Sequence, residues 1–240
     1  MKRLTVIQHT SADYLGLVED HLEGRRIGFN YIRPFTERAH VPREDAVTDG
    51  LILLGGGPWG SAGQRNVPTL VEEVELTYAC LRRGLPVIGI GLGAQILALA
   101  AGGTTVAAPY TFAVSEAQRT QADALNTYLP ARFPCVEMMR DRPQPPSDAT
   151  ILARKDSGEA VVFQVGDNAL GFTGHPGVKL AMAEDLVMEF EESPSDPAAV
   201  LSALPALKTA IEDALVQIMT GVVQVTGIMQ AAWVYRCTGL

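Results

Sequence analysis

The chain has 240 residues, of which 47% are hydrophobic and only 6% aromatic, and it carries a net charge of −8 with a pI near 5.0. This length and apolar content suit one α/β domain with a large core, or one such domain with an appended helical segment. The acidic balance and the scarcity of aromatic side chains exclude a nucleic-acid surface and a base-stacking platform.

Residues 4–7 read as a buried strand. Ser11 is placed to cap a helix over 12–23, with Leu15, Val18 and Leu22 on one face. Residues 26–32 alternate like a second strand. Residues 49–54 form an apolar third strand, closed by Gly55, Gly56, Gly57 and Pro58. Thr69 opens a helix that runs through Leu81 and ends at Gly84. Residues 86–90 are a fourth strand. It meets the tight turn Gly89-x-Gly91-x-Gly93, and an apolar helix follows over 96–101. Strands alternating with helices predict parallel βαβ units in a doubly wound, mostly parallel sheet. Short apolar strands bounded by glycine fit a sheet covered on both faces.

The second half is less regular. Residues 104–114 and 150–174 are β-rich, and 141–148, with three prolines, read as a loop. The Gly166-Asp167-Asn168 turn between 160–165 and 169–173 predicts a hairpin within a small β element. Residues 193–197 are a stop, after which a helix begins. The chain therefore divides into an α/β domain over 1–192 and a helical extension over 193–240. Residues 214–235 carry no charge, which raises a membrane span. Gln217, Gln224 and Gln230 weigh against it, and no membrane partner is expected. Leu204, Leu207, Ile211, Leu215, Ile218, Val222, Val225 and Met229 instead form a stripe. It packs either on the domain or on a second subunit, as in a homodimer. Gly221 and Gly227 are candidate helix breaks.

Three cysteines, Cys80, Cys135 and Cys237, are odd in number and far apart. Neither a disulfide framework nor a metal site is expected, and no cofactor is called for. Residues 1–9 are too polar and short for a secretory signal, so a cytoplasmic location is expected. His9, His21 and His40 lack partners at useful spacing and read as surface or loop residues. The run 189–192 reads as a solvated acidic face, and Cys80 as core.

Residues 86–95 have the form of a nucleophile elbow, in which a strained turn lifts one side chain above the sheet. Three segments carry a specific resemblance in this order and spacing: 51–58, ending in the glycine turn; 86–95; and 171–176, ending in Gly174-His175-Pro176. Together they resemble a class I glutamine amidotransferase domain over residues 1 to about 190. That family's elbow reads Gly-x-Cys-x-Gly-x-Gln. Gly89, Gly93 and Gln95 match it, while Gly91 stands where the nucleophile cysteine belongs. The family's His-Pro-Glu stands here as His175-Pro176-Gly177, so the histidine matches and the orienting glutamate does not.

The resemblance implies acyl-transfer chemistry on the side-chain amide of glutamine or a γ-glutamyl amide. A thiolate attacks, an imidazole protonates the leaving amine, and backbone N–H groups hold the oxyanion. By resemblance those donors lie at Gly56 or Gly57 and at Leu92. Arg140 could meet a substrate carboxylate, and Asp141 or Glu137 an amine. Loss of the nucleophile costs on the order of 10⁶ in rate. Two explanations fit Gly91: an engineered, inactive variant of a cysteine amidase, which either feeds ammonia to a synthetase partner or stands alone as a hydrolase of γ-glutamyl amides in amine metabolism, or a natural pseudoenzyme serving as a ligand-binding or regulatory subunit of a synthetase-like partner chain. Gly89-x-Gly91-x-x-Ala94 partly imitates a dinucleotide loop, but it follows the fourth strand rather than the first, with no acidic residue at the required distance. Cys135 is the one alternative thiol near the pocket segments.

Overall fold

The computed structural model describes residues 2–36 and 40–229. Cys237 and the end of the uncharged stretch lie outside them. In chain order the elements are β1 (Arg3–Ile7), α1 (Leu17–Gly24), β2 (Gly28–Ile32), β3 (Leu51–Leu53), α2 (Leu70–Arg82), β4 (Val87–Ile90) and α3 (Leu92–Ala100). There follow β5 (Thr104–Val106), β6 (Thr111–Arg119), β7 (Arg132–Met139), β8 (Arg142–Gln144), β9 (Thr150–Lys155), β10 (Ala160–Val165), β11 (Ala169–Phe172), α4 (Leu180–Glu189) and α5 (Pro197–Thr226).

The described residues form a nine-stranded sheet in the order β2-β1-β3-β4-β11-β10-β9-β6-β7, beside a two-stranded ribbon of β5 and β8. Strands β2, β1, β3, β4 and β11 run parallel. Strands β10, β9, β6 and β7 extend the sheet antiparallel, and β10–β11 is the expected hairpin. The chain winds outward from β1 to β2 and then returns to β3 on the other side. The carboxyl ends of β1 and β3 therefore flank the point where strand order reverses, the crevice in which open α/β sheets place ligands.

The central strands are apolar at every position because both faces are covered. Leu51 and Leu53 pack with Leu76 and Cys80 of α2 and with Leu92, Ile96 and Leu97 of α3. Ile52 and Leu54 face the other way, toward Val18 and Leu22 of α1 and Leu215, Ile218 and Val222 of α5. The apolar stripe of α5 thus packs on its own domain, although Met229 at its end is 55% exposed. No helix of the described residues is long and apolar enough to cross a membrane.

Several local expectations give way to tertiary contacts. The first helix begins at Leu17 rather than 12, with Gly16 at its N-cap. Ser11 caps nothing there, because the Glu189 carboxylate accepts the N–H groups of Ser11 and Ala12 and holds this stretch as a loop. The helix after the elbow starts at Leu92 and ends at Ala100. The proline-rich 141–148 is not wholly loop, since residues 142–144 pair with β5. Gly227 ends α5 in the left-handed conformation (φ 64), whereas Gly221 lies inside the helix. A Cβ at Gly221 would sit 2.6 Å from Leu125 Cβ and 2.7 Å from the Leu125 carbonyl oxygen. Helix and turn touch there, so Gly221 is a contact residue and not a break. Alanine in a free helix gains about 1 kcal/mol over glycine. Gly221→Ala is instead expected to lose about 1–3 kcal/mol by overpacking; the sign of the change in denaturant unfolding checks this.

Candidate functional site

The turn from β4 into α3 puts Gly91 at φ 57, ψ −112. This is a conformation that side chains adopt only where the surroundings enforce it. The turn is held from both sides: Gly91 N–H donates to Phe172 O (2.8 Å), and Gly93 N–H donates to Leu54 O (3.0 Å). A Cβ at residue 91 would meet only the Gly55 Cα, at 3.3 Å. The backbone of an elbow is present, with open space above it.

That space is a cavity of about 40 Å³ whose walls include Asp13, Gly55, Gly91, Phe112, Thr173 and His175. Gly91 and His175, far apart in sequence, therefore meet here. Gly56 and Gly57 lie on the neighbouring turn, where a Cβ at Gly56 would strike Leu92 Cδ2 at 2.5 Å. Among the described residues, the N–H groups of Gly56, Gly57 and Leu92 find no acceptor. For Leu92 this follows from its place as the first N–H of a helix. Backbone donors are thus free at the places where the resemblance puts an oxyanion hole.

His175 is mostly buried, with its side chain 10% exposed. Its Nδ1 accepts from Gly177 N–H (3.1 Å), so Nε2 carries the proton and donates to Tyr14 O (2.8 Å). Burial pushes the imidazole below the ordinary histidine value, against the pull of Asp13. Where the family's glutamate would stand, Gly177 is pressed against α1. Leu17 N–H donates to Gly177 O (2.8 Å), and a Cβ at 177 would lie 2.9 Å from both Val18 N and Val18 Cγ2.

The remaining candidates serve the frame. Gln95 is buried and bridges loops: its Oε1 accepts from Ser61 Oγ (2.6 Å) and its Nε2 donates to Arg140 O (2.7 Å). Arg140, expected to meet a substrate carboxylate, is occupied by Pro58 O (2.8 Å) and the Glu192 carboxylate. Asp141, expected to meet an amine, instead accepts the N–H groups of Ser61, Ala62 and Ala108 at 2.8–3.1 Å. Glu137 is buried against Lys155. Cys135 is also buried, which pushes its thiol up to about 12 and removes it as an alternative nucleophile. The run 189–192 is not simply solvated, since Glu189 binds backbone N–H groups and Glu192 pairs with Arg65 and Arg140.

Two functional-site features escape a sequence reading. His9, expected at the surface, is buried behind the glycine turn. Its Nε2 meets Glu73 Oε2 at 2.7 Å and its Nδ1 meets Gly55 O at 3.1 Å, so both nitrogens donate and the ring is charged. Burial opposes that charge, but Glu73 outweighs it and the pKa is raised. Because a trans peptide points C=O and N–H in opposite directions, fixing Gly55 O also fixes the Gly56 N–H on the far side. A signal exists in α2: Glu73 shares the core-facing spacing of Leu76, Thr77 and Cys80. Asp13 is the second feature. It lies just past β1 at the reversal point, where a carboxylate is well placed to meet a ligand.

The family profile "Glutamine amidotransferase class-I" matches residues 21–185, a span that holds Gly91 and His175. The chain belongs to the class I glutamine amidotransferase family. A GMP synthase [glutamine-hydrolyzing] from Aeropyrum pernix is 28% identical over 169 residues, covering 66% of this chain and 31% of that protein. A carbamoyl phosphate synthase small chain from Vibrio vulnificus is 44% identical over 66 residues, 28% of this chain and 17% of that one. The chain thus spans less than a third of these curated relatives. Among solved structures, glutamine amidotransferases from Thermotoga maritima and Methylobacillus flagellatus both superpose with TM-score 0.78 at 20% identity. They cover 96% and 93% of this chain, and 99% and 95% of their own. These two share the mixed-sheet fold of this amidotransferase domain.

The two buried histidines of this class I domain should titrate in opposite directions from the ordinary value of 6.5. His9 contributes stability that is present below 6.5 and lost as pH rises through its raised folded value. His175 contributes stability present above 6.5 and lost as pH falls through its lowered one. Imidazole NMR titration is expected to show His9 still protonated above 6.5 and His175 already neutral below it.

Proposed function

We propose that this chain is a naturally diverged, catalytically silent class I glutamine amidotransferase domain. It binds a small ligand in the Gly91–His175 cavity and works as a subunit beside a synthetase-like chain. The observation that carries this is the contact at Gly177. An inactivating change at residue 91 alone would leave the rest of a hydrolytic site as it was. Here α1 packs onto residue 177, with Val18 N 2.9 Å from where a Cβ would stand, so a glutamate there would require α1 to shift. The imidazole beside it has taken backbone partners at both nitrogens. Two positions of the acyl-transfer unit depart from the family's pattern, and the packing around both accommodates glycine.

The synthetase-like partner rests on analogy with the relatives named as a GMP synthase and a carbamoyl phosphate synthase small chain. The runner-up is a hydrolase of γ-glutamyl amides silenced only at Gly91. The preserved elbow and the open space above it favour that reading. Amide turnover by the chain and by Gly91→Cys separates the two. Co-purification of the untagged chain with a synthetase-like protein tests the partner.

A further inference from the structure

We propose that the cavity beside Gly91 is a binding site for a small protonated amine, ammonium or a short alkylammonium, with the Asp13 carboxylate as its counter-ion. This rests on the cavity binding its ligand rather than cleaving it. Asp13 is 7% exposed, and among the described residues its Oδ1 has no hydrogen-bond partner. The nearest cationic candidate, His175 Nε2, is 4.0 Å away and already donates to Tyr14 O. A buried acceptor left unmatched costs about 1–3 kcal/mol, more when charged, so a donor supplied by a ligand is favoured there. Asp13 reaches this place only because residue 55 is glycine: a Cβ at 55 would collide with Asp13 Oδ2.

The charges facing Asp13 set the sign of the ligand. His9 is already matched by Glu73, and His175 is held neutral by burial. Burial, and to a lesser extent Glu189, whose carboxylate binds Ser11 and Ala12, push the Asp13 carboxyl above its ordinary value, so a bound cation is the partner that would hold it ionised. What remains is negative potential in a mostly apolar cavity with Phe112 in its wall. That combination suits an ammonium group, which takes one strong charge-assisted hydrogen bond and gains from an aromatic face. Calcium or magnesium would need six or so oxygen ligands, which these walls do not offer. Size selects further. A water needs about 10–15 Å³ of such volume, so a cavity of about 40 Å³ takes ammonium or methylammonium and favours them over the bulkier tetramethylammonium.

The test titrates methylammonium chloride into the full chain by calorimetry, with sodium chloride, tetramethylammonium chloride and the neutral amide acetamide as references. Saturable binding of methylammonium alone is expected, with affinity falling more than about tenfold in Asp13→Asn, the loss of one charge-assisted bond. Ala183→Leu fills the cavity without changing its charge and is expected to abolish binding. If Asp13→Asn does not fold, the size cut-off and the acetamide comparison on the unmodified chain decide. No saturable binding, equal binding by Asp13→Asn, or acetamide binding as well as the cation would each overturn the proposal. The titration contains no amide substrate of the family. Turnover of γ-glutamyl amides by the unmodified chain would overturn the silent reading above while leaving an amine-binding result intact.

Discussion

Gly91→Cys is expected to release ammonia or amine from glutamine and a panel of γ-glutamyl amides less than about ten times faster than the unmodified chain, whereas restoring a lost nucleophile to an otherwise intact acyl-transfer unit would yield on the order of 10⁶. The thiol itself should be well placed. It would sit at the N-terminus of α3, with only the Gly55 Cα within 4 Å of its Cβ, and helix N-termini lower thiol pKa values. Rapid alkylation of the introduced thiol without turnover is therefore the predicted pair of results. The missing step is the proton to the leaving amine. His175 Nδ1 already accepts from Gly177 N–H and Nε2 already donates to Tyr14 O, so the ring has no free nitrogen for that proton. Turnover of about 10⁴-fold or more over the unmodified chain in Gly91→Cys would show that the unit is intact and that the glycine alone silences it.

His9→Ala is expected to lower stability by about 3–5 kcal/mol, the usual cost of breaking a buried ion pair from one side. For a domain of this size that corresponds to a fall in Tm of roughly 6–20 °C. The cost arises because Glu73, with its side chain 0% exposed, would keep a charge with no cation beside it. Thr69 Oγ1 would remain as a hydroxyl partner at 2.5 Å, too little to replace a cation. The double variant His9→Leu/Glu73→Leu removes both charges and is expected to recover most of the loss. Differential scanning calorimetry of the three chains checks this. A single-variant loss under about 1 kcal/mol would mean that the pair carries little net charge, and the assignment of a charged His9 would fall with it.

Much of the fold was legible because its strands and turns are local chemistry. Apolar runs at 4–7, 49–54 and 86–90, each ended by polar or glycine residues, could only be strands covered on both faces. The elbow, the glycine turn and His175 stood out by spacing, and the cavity brings Gly91 and His175 together. Where the sequence misled, a distant partner had overruled a local preference. Ser11 has the chemistry of a cap, yet Glu189, 178 positions away in the chain, claims its N–H.

The family, the layered α/β architecture and the absence of a side chain at residue 91 can all be read from the residues alone. Which charges matter is set by the three-dimensional arrangement. Arg140 and Asp141 are polar residues in a suitable segment, and nothing local reveals that Pro58, Glu192 and three backbone N–H groups already occupy them. Asp13 and His9 lie next to an ordinary strand, and only the crossover between β1 and β3 brings them to one cavity wall and the back of one glycine turn. Burial then sets their charge. The same residue type is protonated at His9, where Glu73 stands 2.7 Å away, and neutral at His175, where Nε2–H donates to Tyr14 O and no carboxylate is in hydrogen-bond reach. Periodicity places a residue on a face; the dielectric and the partner it meets there follow from packing between segments remote in the chain.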